Sequence, residues 1–166
     1  MTRKGLSITD SSLIYEYLSS LAPNKGLVPL NGQRRWETLG CQALAHGLLN
    51  AIITTAAETQ IRPDQHFWPG VIERQTVKIE RTLDAFEQKI SAGHAPVLAE
   101  DAVNLGAITL ACTLGYLAQR LRIEQWREHR PGLSVCYDGF SARASMIATK
   151  PAPIPSPHLD PHKIPP

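Results

Sequence analysis

Few residues of this chain have the types and spacing that chemistry needs. His46 lies among apolar neighbours in a run of helical spacing, where a histidine is more commonly a satisfied core or cleft group than a catalyst. Cys41, Cys112 and Cys136 are widely spaced and odd in number, with no CxxC or Cys/His ligand spacing, and read as buried, reduced thiols. No cysteine has a histidine at helical spacing, so no thiol has an evident activating base. His158 and His162 are four apart, but they sit among prolines with no helix to hold both on one face, a poor metal pair. HExxH, GxxxxGK[ST] and GxSxG are all absent. Asp10-Ser11 precedes an apolar helical stripe, and the oxygen of either side chain can accept from an unpaired N–H of the first turn.

The bulk properties exclude several classes. With 17 basic and 15 acidic residues and a net charge of +2, the chain has no electrostatic footprint for nucleic acid. Arg34-Arg35 and Arg120/Arg122 read as solvated helix faces. The start, MTRKGLSITD, lacks the apolar core of a secretory signal, and no apolar run approaches the roughly 20 residues of a membrane span, so a cytoplasmic location is expected. The 166 residues suffice for one domain with a real core, or a domain plus part of another.

The elements that would position these residues are helices. Ser7-Ile8-Thr9 could end a strand, although nothing before it could pair with that strand. A first helix follows Asp10-Ser11, with Leu13, Ile14, Tyr17, Leu18 and Leu21 on its stripe. Pro23, Asn24 and Gly26 end it, and residues 27–32 read as a linker. A long helix begins near Gln33 and carries Trp36, Leu39, Leu44, Leu48 and Ile52. Its Gly40, Ala43 and Gly47 are spaced to let another helix approach closely. A second long helix, from about Pro69 to Ser91, has Ile72, Ile79, Leu83, Phe86 and Ile90 on one face and charged residues, Glu80 and Glu87 among them, over the rest. Gly93 is placed to stop it, and the pair should pack antiparallel. The run from Asn104 to Leu121 carries no charge from Leu105 to Leu117 and places apolar groups all round, the mark of a central helix wrapped by others. Asn104 is its cap, and Val103 and Ile108 have the spacing of a hydrophobic staple. At most two turns follow near Trp126, and a final helix from Pro131 takes in Leu133, Cys136, Tyr137, Phe140 and Met146. Residues 151–166 hold seven of the 13 prolines and form neither helix nor sheet.

Several of these segments resemble one family. LGYL, Trp126, Pro131-x-Leu133, Tyr137, Phe140 and Arg143-x-Ser145-Met146 look like the C-terminal helical domain of bacterial glutathione S-transferases. WPGVIERQTVKIERTLDAFE, Leu44-Ala45-x-Gly47-Leu48-Leu49 and Asp10-Ser11-x-x-Ile14-x-Glu16-Tyr17-Leu18 resemble the same family, from about Gly5 to Pro151. The resemblance implies an all-α chain: a helical bundle over residues 33–150, joined by a linker at 27–32 to a remnant of the thioredoxin-like α/β domain at 1–26, with a Pro-rich tail at 151–166. It implies that Asp10 and Ser11 bind the γ-glutamyl end of glutathione. An acid can hold the ammonium, and a helix N-terminus offers N–H groups and partial positive charge to the carboxylate. Three departures from the family's pattern stand out: Ala107 where an Asp would complete the capping box, Cys136 where Trp is common, and Ala144 where Pro is common.

By resemblance the activity is conjugation of glutathione to an apolar electrophile. Glutathione would be a co-substrate, no separate cofactor is implied, and the assembly would be a homodimer. The family's catalytic Ser, Cys or Tyr has no counterpart in these residues, so the chain is expected to be N-terminally truncated and inactive by itself. The competing expectation is a non-catalytic helical interaction or dimerisation module.

Overall fold

The computed structural model describes residues 5–22, 26–93 and 103–152. Its helices are α1 (Ser11–Ser20), α2 (Gln33–Gln60), α3 (Pro69–Ser91), α4 (Leu105–Leu121), α5 (Trp126–His129), α6 (Pro131–Ser141) and α7 (Ala144–Ala148), with a 3₁₀ turn at Asp64–His66. The fold is all-helical: among the described residues there is no strand, Ser7-Ile8-Thr9 is irregular, and the α/β character expected of residues 1–26 is not confirmed. The staple residues Val103 and Ile108 are described, whereas most of the Pro-rich tail and the segment from His94 to Ala102 lie outside the described residues.

The core is built on α4. Leu110, Ala111, Leu114 and Leu117 are fully buried, and they meet Leu48 and Ile52 of α2, Leu83 and Phe86 of α3, and Leu133 and Phe140 of α6 in one cluster. The expected α3 stripe is the buried one, with Ile72, Ile79, Leu83 and Phe86 all inside. Wrapping of α4 is not complete: Cys112 is exposed, and Ile108 and Tyr116 are half-buried, because no described helix lies along that stripe.

The close approach between α2 and α4 comes from a different glycine than the sequence suggests. Gly40, Ala43 and Gly47 are exposed, and a Cβ on Gly40 or Gly47 would meet nothing within 4 Å. At Gly106 of α4, a Cβ would stand 2.7 Å from Cys41 Cβ and 2.8 Å from the Thr38 carbonyl oxygen. Small residues mark a face that can be approached. They do not say which face is, and here the bulkier side of α2 turns inward.

The start of α4 is held as the capping pattern predicts: Asn104 Oδ1 accepts from Ala107 N at 2.9 Å. The next free amide, Leu105 N, donates 2.9 Å to the carbonyl of Leu27. The segment between α1 and α2 therefore also caps the central helix, and its Val28 is buried. Ala107 stands where an acid would complete the capping box and has no side-chain acceptor to offer.

Two further differences have physical causes. The expected single final helix breaks at Ala142–Arg143 into α6 and α7. Continued past Phe140, a straight helix would bring Ile147, seven residues on, to the core face. The break instead leaves Ile147 exposed and packs Met146 against the core. Glu80 and Glu87 of α3 are also not simply solvated. Arg130, 4% exposed, donates from Nε to Asp84 Oδ1 at 2.9 Å and pairs with Glu80. Glu87 accepts from Gly132 N at 3.1 Å and Leu133 N at 2.7 Å, so its carboxylate satisfies the first amides of α6. Pro131 begins that helix, where the missing N–H is no loss.

Candidate functional site

α1 attaches to the bundle by polar contacts, since Ser19 is its only buried residue. Glu16 pairs with Arg35 of α2, whose Nη1 also donates to the Pro29 carbonyl. Ser19 Oγ accepts from Val28 N at 3.0 Å. Ser12 Oγ and His46 Nδ1 share a hydrogen bond of 3.3 Å, its direction set by the imidazole tautomer. The Ser12–His46 contact sets the N-terminus of α1 beside the middle of α2, while Glu16–Arg35 ties its later turn to the start of α2.

The first turn of α1 is arranged around Asp10, which is its N-cap. Asp10 Oδ1 accepts from Ser12 N at 2.8 Å, and the Asp10 carbonyl accepts from Ile14 N at 3.0 Å. The backbone of Asp10 lies at φ 76°, ψ 132°. A non-glycine residue at positive φ is uncommon and holds only when its surroundings over-determine it. The Ser12 amide and hydroxyl, and more weakly the charge of His46, hold the Asp10 carboxyl below its ordinary value. Asp10 and Ser11 are both exposed. The sequence pair is thus one corner in space, with the Asp10 carboxylate capping the exposed start of a ten-residue helix and Ser11 beside it.

His46 is half-buried on α2 and hydrogen-bonded to Ser12, a satisfied cleft histidine at this corner rather than a core one. The sequence contained no signal for this, because Ser12 and His46 are 34 residues apart and neither type nor spacing links them.

The remaining chemistry-bearing residues lie elsewhere. All three cysteines are free. Cys41 is buried, and that burial pushes its thiol up to about 12, which keeps it protonated and inert. Cys136 is half-buried and Cys112 exposed, so the expectation of three buried thiols holds for Cys41 alone. Among the described residues no group of three or more His, Cys, Asp or Glu could hold a metal, and His158 and His162 lie outside them. A shallow charged hollow lined by Arg122, Glu124, Gln125, Arg127 and Glu128 follows the C-terminus of α4 and shares no residue with the Asp10 corner. No described helix is long and apolar enough to cross a membrane.

No protein-family model matches the chain. It is 30% identical over 151 residues to the uncharacterized GST-like protein YibF of Escherichia coli (strain K12), a match covering 91% of this chain and 73% of that protein. Among solved structures, it is similar to a glutathione transferase family member from Pseudomonas fluorescens Pf-5 with bound glutathione, at 32% identity and a TM-score of 0.80, over 91% of this chain and 71% of that one. It is also similar to a glutathione S-transferase from Methylobacillus flagellatus KT with glutathione bound, at 30% identity and a TM-score of 0.81, over 91% and 73% of the two chains. The helical bundle, the order of its elements and these similarities over nine-tenths of the sequence agree: the chain belongs to the glutathione S-transferase family.

Proposed function

We propose that this chain binds glutathione at the corner formed by Asp10 and Ser11, and that the reaction it serves is conjugation of glutathione to an apolar electrophile. In this reading Asp10 accepts the γ-glutamyl ammonium, and the exposed N–H and hydroxyl of Ser11 receive the γ-glutamyl carboxylate. Residues 1–26 are the remnant of a thioredoxin-like domain, 27–32 the linker and 33–150 the helical domain. The protein works in the cytoplasm as a homodimer. The observation that carries the reading is the exposed Asp10 carboxylate at the N-terminus of α1 with Ser11 exposed beside it, in a chain whose solved relatives hold glutathione.

Conjugation also requires a hydroxyl or similar donor that stabilises the glutathione thiolate. Ser11 is assigned to the carboxylate and Ser12 to His46. We therefore expect the 166 residues alone to bind without turnover. Isothermal titration with glutathione tests the binding, and conjugation to a chlorodinitrobenzene-type electrophile tests the turnover. Asp10→Asn keeps an oxygen for the Ser12 amide but loses the charge. It should weaken glutathione by roughly tenfold, the scale of a charge-assisted hydrogen bond. Unchanged affinity in Asp10→Asn would refute the assignment, and turnover well above background would refute the inactivity.

A second reading, a non-catalytic interaction or dimerisation module, is favoured by one observation: Leu13 and Leu18 on α1 and Leu21 at its C-terminal cap are each more than half exposed. Sedimentation equilibrium of a strictly monomeric chain would count against it.

A further inference from the structure

We infer that His46 is a positioning residue for the γ-glutamyl group, holding the first turn of α1 in the form that receives it. The inference rests on the reading of the Asp10–Ser11 corner as the glutathione site. Three amides at the start of α1 have no intrahelical carbonyl to bond, those of Ser11, Ser12 and Leu13, because Ile14 N is the first to close onto the Asp10 carbonyl. Asp10 Oδ1 takes the Ser12 amide. A serine in a first turn can also fold its hydroxyl onto neighbouring backbone groups and compete for them. Ser12 turns its hydroxyl to side chains instead, sharing a 3.3 Å hydrogen bond with His46 Nδ1 and reaching the Asp10 carboxylate. That leaves the Ser11 N–H and hydroxyl open on the exposed side of the turn.

His46 is suited to this role because it does not move with α1. It is half-buried on α2, between the core residues Ala45 and Leu48, so the bundle fixes its backbone. The imidazole thus ties the two units together at the point where the ligand's carboxylate would sit, one helical turn from the second tie at Glu16 and Arg35.

The test compares the full chain with His46→Ala and His46→Asn, since an asparagine amide can stand where Nδ1 stands and still meet the Ser12 hydroxyl. Titration uses glutathione, γ-glutamylcysteine and cysteinylglycine, with thermal unfolding to confirm that each variant is folded. His46→Ala should weaken glutathione and γ-glutamylcysteine alike by about fivefold, the worth of an ordinary hydrogen bond. His46→Asn should bind within about twofold of the wild type. Recovery by asparagine separates a positioning bond from mere packing, which Asn would not restore. Wild-type binding that is equal in all three proteins overturns this inference alone, as does a loss that His46→Asn fails to repair. No binding of glutathione or γ-glutamylcysteine by the wild type overturns the glutathione reading and this inference with it.

Discussion

Replacing Gly106 with alanine should destabilise the fold, although alanine is the better helix former. In the interior of an exposed helix, glycine to alanine gains up to about 1 kcal/mol. At Gly106 the added methyl would lie 2.7 Å from Cys41 Cβ and 2.8 Å from the Thr38 carbonyl oxygen, distances that real Cβ atoms essentially never show. Neither neighbour is the far end of a flexible side chain, so α2 and α4 must separate along a seam that runs through Ala45, Leu48, Leu110 and Ala111. Overpacking of this kind costs about 1–3 kcal/mol, so after a helix gain of up to about 1 kcal/mol a net loss of about 1 kcal/mol, in a range of about 0–2, remains. Gly47→Ala is the internal control. It makes the same chemical change on α2, where a Cβ meets nothing within 4 Å, and should stabilise by up to about 1 kcal/mol. Urea unfolding reads both, with midpoints moving in opposite directions by a few tenths of a molar or more at slopes of about 1–3 kcal/mol per molar. If Gly106→Ala raises the midpoint as Gly47→Ala does, the account of the α2–α4 crossing is wrong.

Glu87→Ala removes the acceptor for the Gly132 and Leu133 amides and should destabilise by about 1–3 kcal/mol, measured by the same urea melts. In the native chain a thiol reagent should modify Cys112 first and Cys41 only under denaturant, as peptide mass spectrometry would show. Rapid labelling of Cys41 would contradict its burial. Asp10 is held below its ordinary value in the folded chain, so its contribution to α1 is present above that value and is lost as pH falls through the lower folded value. The Ser12 amide resonance should therefore move only in the acid range, below about pH 4. Hydrogen exchange should find the amides of α1, which buries only Ser19, far less protected than those of α4, and equal protection would sink this view of α1 as a loosely held element.

Where the chain punctuates itself, the elements could be read directly. Pro69 and Gly93 bracket α3, and Asn104 opens α4, because prolines, glycines and caps act within one turn and need no knowledge of what lies opposite. The left-handed residue that ends α4, Arg122, carries no such mark, since glycine is the usual choice there. Contacts between distant residues were not legible. Arg130 meets Glu80 and Asp84 from about 50 residues away, and the Leu27 carbonyl finds Leu105 across two helices. Glycine spacing pointed to the wrong face of α2, because a small side chain fits equally at a tight crossing and in open solvent. The site was half legible. Asp10 and Ser11 are adjacent and of a recognisable type, whereas His46 reaches them only through the tertiary fold.

The acidic face of α3 has a consequence for how this domain can be divided. Glu80, Asp84 and Glu87 are spaced four and three apart, so as an isolated helix α3 would line up like charges that repel one another. Arg130 and the amide end of α6 supply the opposing charge. α3 is therefore a socket, complete only when the start of α6 is seated in it. A fragment cut before Arg130 would keep most of the apolar cluster but leave that socket empty. It should be less stable than the loss of apolar contacts alone implies, and added salt, by screening the repulsion, should recover part of the difference.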